Sequence, residues 1–177
     1  MTTLSESILA AWRTTARMNE LLVAELPEAV WSSKPIPGMR RSVRSIGGHL
    51  HNARCRWVKT LGVEHGIAAP AFVDLHRVTR RQLIAALKKS TRSMEALLSL
   101  GLDAGGVLPP SRSYVWRNLP LDVGHVLAYF VAHEAHHRGQ LLLLARLMGT
   151  PVSREISDGL WWWMPRKAPR PGKTSRA

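Results

Sequence analysis

The sequence predicts an all-α protein, a four-helix bundle with a short aromatic element at its C-terminal end. Four long segments repeat apolar residues at the 3.6-residue period of a helix, and the stretches between them are rich in proline and glycine. No segment alternates apolar and polar residues at period two, so strands are not expected. At 177 residues with ordinary apolar content, the chain can build one core without disulfides. No repeat or second domain is visible. Residues 1–164 read as one bundle and residues 165–177 as a basic, disordered tail.

Residues 4–26 read as the first helix, with Thr3 or Ser5 as N-cap and Pro27 as the stop. Leu4, Ile8, Ala11, Met18 and Leu22 recur along it at helical spacing. Residues 28–41 hold Trp31, Pro35, Pro37 and Gly38, which is loop chemistry. Ser42 or Ser45 opens a second helix that runs to Gly62, with Ile46, Leu50, Ala53, Trp57 and Leu61 as its apolar stripe. Residues 63–78 form a connection, and His65 and His76 within it are expected at the surface. The third helix covers residues 79–100, with Leu83, Leu87, Met94, Leu97 and Leu98 facing the core. Arg80, Arg81, Lys88, Lys89 and Arg92 occupy its polar side. A second loop, residues 101–120, leads to Asp122, which caps a fourth helix ended by Gly149 and Pro151. Residues 153–164 carry Trp161, Trp162 and Trp163. Three consecutive tryptophans cannot all face one core, so at least one should cover a pocket mouth or a dimer contact.

The net charge is +13, from 25 basic and 12 acidic residues. Five of the basic residues follow Met164 with no acidic one, which leaves 20 against 12, or +8, for the body. A body charge of that size attracts polyanions, so a nucleic-acid-associated bundle is one functional alternative. No helix-turn-helix or zinc finger can be recognised around the basic third helix. The single cysteine, Cys55, rules out an intramolecular disulfide and suggests a reducing compartment. It lies nearly opposite its helix's apolar stripe with no visible Cys or His partner, and reads as an inert thiol. The N-terminal segment has neither a signal-peptide core nor a membrane span, so a cytoplasmic protein is expected.

Three of the eight histidines fall within His133-Glu134-Ala135-His136-His137. His133 and His137 stand one helical turn apart, the spacing that lets two imidazoles share a metal ion. With Val126, Phe130, Leu141, Leu144 and Met148 they fall within about 80° of arc, which places them in a core-facing stripe. Each imidazole there needs a polar partner, and a metal satisfies both. His136 lies on one shoulder beside Tyr129 and Gln140, either near the site or partly exposed. Glu134 lies on the other shoulder, about 100° from His133.

The same letters satisfy H-E-x-x-H, a metalloprotease signature in which the Glu is general base. The metzincin extension fails, because Gln140 occupies the glycine position and no histidine follows His137. Glu155 could be a downstream ligand, but no strand is expected that would hold a peptide. A protease is the weaker alternative. The better third ligand is His49, about 60° from Ile46 on the shoulder of the second helix's stripe, whereas His51 points about 140° away, toward solvent or a partner subunit. Three histidines from two helices, with an open coordination position, describe a catalytic site. Imidazoles suit zinc, nickel, iron or copper.

These residues resemble the DinB family of DinB/YfiT-like metalloenzymes. Arg41-Ser42-Val43-Arg44-Ser45-Ile46-Gly47-Gly48-His49-Leu50-His51-Asn52-Ala53-Arg54 looks like its second-helix segment, a Ser-Ile pair followed by a His before a hydrophobic residue. The stretch from Tyr129 to Gln140, followed by Arg146-Leu147-Met148-Gly149, is similar to its H-E-x-H-H-R-G-Q segment. Trp161 to Trp163 resembles an aromatic C-terminal element of many members. The likeness spans residues 1–164.

It implies an up-down-down-up four-helix bundle, often a homodimer, with a divalent metal in a histidine triad carried onto His49, His133 and His137. Zinc or nickel is the metal this favours, with iron as a further option. Related activities include thiol-dependent transferases and isomerases that use low-molecular-weight thiols such as mycothiol or bacillithiol, although many members have no assigned activity. Gly47 and Gly48 stand where bulkier residues are usual, which would widen the site or loosen the helix by about 1 kcal/mol each. The expected function is a metal-dependent enzyme acting on a small molecule. The alternatives are a metal-binding bundle without chemistry, or a nucleic-acid-associated one.

Overall fold

The computed structural model describes residues 2–33 and 37–163, so the expected disorder of residues 165–177 lies outside the described residues. Four long helices carry the fold: α1 (Leu4–Glu25), α3 (Val43–Leu61), α4 (Arg80–Asp103) and α5 (Val123–Leu147). Two short ones, α2 (Glu28–Ser32) and α6 (Arg154–Gly159), lie between and after them. Among the described residues there is no strand, only an isolated bridge between Val107 and Asp122.

Each long helix begins where a side-chain oxygen takes one of the backbone N–H groups that a first turn leaves unpaired. Thr3 accepts from the Glu6 N–H and Thr79 from the Gln82 N–H, each closed into a capping box. Ser42 accepts from Ser45 N–H and Asp122 from His125 N–H. Residues 28–41 were expected to be loop throughout, but Glu28–Ser32 closes one helical turn. Pro27 presets the backbone at its start, and burial of Val30 and Trp31 holds it down.

α1 and α3 each pack against both α4 and α5, so the order around the bundle is α1, α4, α3, α5. Contacts give the directions. Trp12 Nε1 donates to the Thr91 carbonyl, while Arg80 donates to the carbonyls of Ala24 and Leu26, so α1 and α4 are antiparallel. On α3, His51 meets Ser90 and Arg54 meets Thr91, so α3 runs parallel to α4. His49 lies beside His137 and Trp57 beside Phe130, so α5 runs against α3. The bundle is therefore up-down-down-up.

The core is divided. One apolar cluster, built on Leu22, Trp31, Ile46, Leu83 and Leu141, fills one end; another, built on Trp12, Val58, Leu97, Val126 and Phe130, fills the other. Between them lie the buried polar side chains of Thr15, Asn19, His51, Arg54, Ser90, Glu134 and His137. A fully buried large apolar side chain contributes roughly 1.5–3 kcal/mol, so the two ends can hold the helices while the middle layer is polar. The candidate site opens off that layer.

Gly47 and Gly48 do not widen it. A Cβ on Gly47 would lie 3.0 Å from Leu83 and 3.2 Å from Trp31, and one on Gly48 would lie 2.8 Å from Leu75. The space their missing side chains leave is filled by neighbours that pack close to α3.

Candidate metal centre

α3 and α5 run antiparallel past each other and bring three imidazoles together. Ring centroids are 5.3 Å apart for His49 and His133, 4.8 Å for His49 and His137, and 4.6 Å for His133 and His137. Each ring offers one nitrogen to a group whose atoms all lie within 4.8 Å of one another, and no Asp, Glu or Cys joins it among the described residues. The three histidines chosen from helical angles are the three that meet. His137 is buried, whereas His49 and His133 are half-buried and line a cavity of about 170 Å³ with Asn52, Ala53, Arg56, Trp57 and Tyr129.

All three imidazoles are held neutral. Burial pushes His49 down to about 4, helped by the neighbouring His137 and by Arg41. Burial also lowers His133, with His137 beside it, and lowers His137 against the opposing effect of the hydrogen bond it donates to Gln140. A neutral ring keeps the lone pair that a metal needs.

Gln140 settles the tautomer of His137. His137 Nδ1 donates to Gln140 Oε1 at 2.8 Å, and Gln140 Nε2 lies 3.0 Å from His136 Nε2, the acceptor that suits this amide orientation. The remaining lone pair of His137 is then on Nε2. This is the supporting arrangement that metal-binding histidines commonly use. The exposed His136 steadies the amide and does not join the cluster. The donor chemistry therefore fits a divalent ion: three neutral imidazoles, one of them with its tautomer held, and no fourth protein ligand among the described residues.

Glu134 does not face this site as H-E-x-x-H requires. Its side chain is fully buried, with Arg54 Nε donating to Oε1 at 2.5 Å. Arg54 Nη2 and Asn19 Nδ2 both donate to Oε2, at 2.9 and 2.5 Å. A carboxylate committed on both oxygens cannot serve as a water-activating base. Glu134 lies near the middle of the buried stripe, not on its shoulder, and half-buried His133 lies at the edge. Glu155, the other candidate carboxylate, sits in α6, which packs on α1.

His51 corrects a second expectation. It points neither to solvent nor to a partner: it is completely buried, with Nε2 donating to the Ala71 carbonyl at 2.9 Å and Nδ1 3.1 Å from Ser90 Oγ. Residues 67–75 run across this side of α3, and Asn52 fixes them by exchanging two hydrogen bonds with the Val73 backbone. His51 Nε2 also lies 3.2 Å from Cys55 Sγ, so Cys55 does have a histidine neighbour. Burial nonetheless pushes the thiol up to about 11, which keeps it protonated. Cys55 lines a larger cavity of about 680 Å³ under residues 66–72, which none of the three clustered histidines reaches.

His76 is exposed as expected, and His65 is half-buried. Of the three tryptophans, Trp161 and Trp163 are 78% and 52% exposed, and Arg17 donates to the Trp162 carbonyl at 2.6 Å. No helix among the described residues is long and apolar enough to cross a membrane.

A family model described as the DinB superfamily matches residues 11–141, a span that includes all three clustered histidines. No curated protein and no solved structure gives a significant match to the chain.

Proposed function

The chain belongs to the DinB superfamily, and we propose that it is a divalent-metal-dependent enzyme acting on a small molecule, with His49, His133 and His137 as the metal ligands. The observation that carries this is the convergence of three neutral imidazoles, two of which line a cavity, with no fourth side-chain ligand beside them among the described residues. A structural metal site is normally closed by four protein ligands, whereas a three-ligand site keeps a position for substrate. Zinc or nickel suits the all-imidazole set best, and iron is compatible.

When bound, the ion supplies Lewis acidity and lowers the pKa of a thiol or water, making it a nucleophile at neutral pH. The chain's own residues do the positioning. Gln140 holds His137 in one tautomer, Tyr129 stacks on His133 at 5.9 Å, and Trp57 packs edge-on to Tyr129 at 5.3 Å. Thiol-dependent transfer or isomerisation is the reaction class proposed, with a low-molecular-weight thiol as co-substrate. The cavity suits a small molecule better than a peptide, because it encloses only about 170 Å³.

A homodimer goes with this proposal, supported by exposed Leu143, Leu147, Trp161 and Trp163. So does a cytoplasmic location, where the unpaired Cys55 would stay reduced. The test is a screen of electrophilic small molecules against zinc- and nickel-loaded protein, with and without a panel of low-molecular-weight thiols. Turnover that needs both thiol and metal, and is lost in His133→Ala, supports the proposal. Metal-loaded protein that turns over nothing in any combination would favour a bundle that binds metal without chemistry.

A further inference from the structure

Among the described residues, the cavity beside the triad has one charged group in its wall, and it is a cation. Arg56 follows His49 by seven residues, two turns along the same side of α3. It lines the cavity with His49, Asn52, Ala53, Trp57, Tyr129 and His133, none of them acidic. The Asn52 amide is already committed at both ends to the Val73 backbone, so it forms fixed wall and offers no recognition. Trp57 is wedged between Tyr129 and Phe130, at 5.3 and 6.2 Å, and is wall as well. Arg56 is exposed and makes no hydrogen bond or ion pair among the described residues.

The wider surroundings have the same sign. Arg41 is exposed, close enough to act electrostatically on both His49 and His137, and likewise makes no hydrogen bond or ion pair among the described residues. The nearby acid, Glu134, is neutralised by Arg54 in the core. A divalent ion in the triad would add two further positive charges. Nothing in the cavity wall balances them, so the missing negative charge is left to the ligand.

Resting on the metal-dependent enzyme proposed above, we infer that the substrate is a small anion whose carboxylate or similar oxyanion seats on Arg56 while its reacting end faces the three histidines. A water takes about 30 Å³ in the liquid, so the cavity encloses a group of about six heavy atoms. Guanidinium presents a planar fork of donors that a carboxylate can accept in pairs, which orients as well as attracts.

The test uses full-length protein loaded with cobalt, titrated with 3-mercaptopropionate and with 3-mercapto-1-propanol. The two probes share a thiol, whose binding is read from thiolate-to-cobalt absorption, and differ in a terminal carboxylate. The carboxylate probe should bind about tenfold more tightly to the wild type, the scale of one charge-assisted contact. The preference should fall to within about twofold in Arg56→Gln and be partly kept in Arg56→Lys. Cobalt bands that depend on His49, together with the same preference in wild type and Arg56→Gln, would overturn the anion site and leave the metal site standing. Absence of His49-dependent cobalt bands would overturn the metal site and the anion site with it.

Discussion

Arg54 and Glu134 form a two-pronged ion pair between α3 and α5, with both side chains fully excluded from solvent. Asn19 donates to the same carboxylate from α1, and Arg138 donates to Asn19 Oδ1 at 3.0 Å. Arg54 also donates to Thr91 Oγ1 on α4 and lies 4.7 Å over the ring of Trp12. One arginine thus touches all three neighbouring long helices in the layer that separates the two apolar clusters. Burying two charges costs several kcal/mol per ion, and only this degree of hydrogen bonding offsets it.

Breaking the pair should therefore be severe, while deleting it should be mild. Glu134→Gln or Arg54→Met is expected to cost about 3–5 kcal/mol in urea unfolding, because each strands part of a buried network. The double variant Arg54→Met with Glu134→Leu should lose clearly less than the sum of Arg54→Met and Glu134→Leu measured singly. Metal content of folded Glu134→Gln should match the wild type. Its loss there, with stability unchanged, would return Glu134 to the site.

Gln140 should matter to metal affinity more than to folding. Its hydrogen bond to His137 fixes which nitrogen is free, and such supporting partners are typically worth 10–100-fold in affinity. Gln140→Ala should bind zinc about that much more weakly in competition with a chromophoric chelator, with a nearly unchanged unfolding midpoint. Equal affinity would mean that the amide merely occupies the surface.

Acid should destabilise the metal-free protein in a defined window. His49, His133 and His137 all have lowered pKa values when folded, so between their unfolded value near 6.5 and their folded values the unfolded chain binds more protons. Their contribution is flat above about pH 7. Stability then falls as pH drops from about 6.5 toward the value of about 4 held by His49. Thermal melts across that range should show the decline, and it should be shallower in His49→Phe. A decline confined to the carboxylate range below pH 4 would contradict the neutral triad.

Much of this was legible in the chain because helix ends are written locally. Thr3, Ser42, Thr79 and Asp122 are caps of ordinary type, and the periodicity between them fixed which helices exist. Helical angle separated His49 from His51 and the triad contains His49, yet the same angle sent the fully buried His51 toward solvent. What could not be read was anything that depends on a non-periodic segment. The stretch 67–75 covers His51, and nothing in its composition says where it lies.

The ion pair was missed for a different reason. On α3 the buried positions run Ile46, Leu50, Arg54, Val58, Leu61, and on α5 Val126, Phe130, Glu134, His137, Leu141. A charge interrupts each stripe near its centre, and the two charges are opposite. Sorting residues by polarity moved both stripes round to Ala53, Trp57 and His133, all three of them half-buried. Two interrupted stripes with complementary charges were the available signal.

The central claim is that one ion sits among His49, His133 and His137. It is tested most directly by elemental analysis of protein purified without a histidine tag, beside His49→Ala, His137→Ala and the control His51→Ala. About one equivalent of a divalent metal per chain is expected in the wild type and in folded His51→Ala, and far less in the other two variants. Equal metal content in all four proteins, or none in the wild type even after incubation with zinc and nickel, would contradict it.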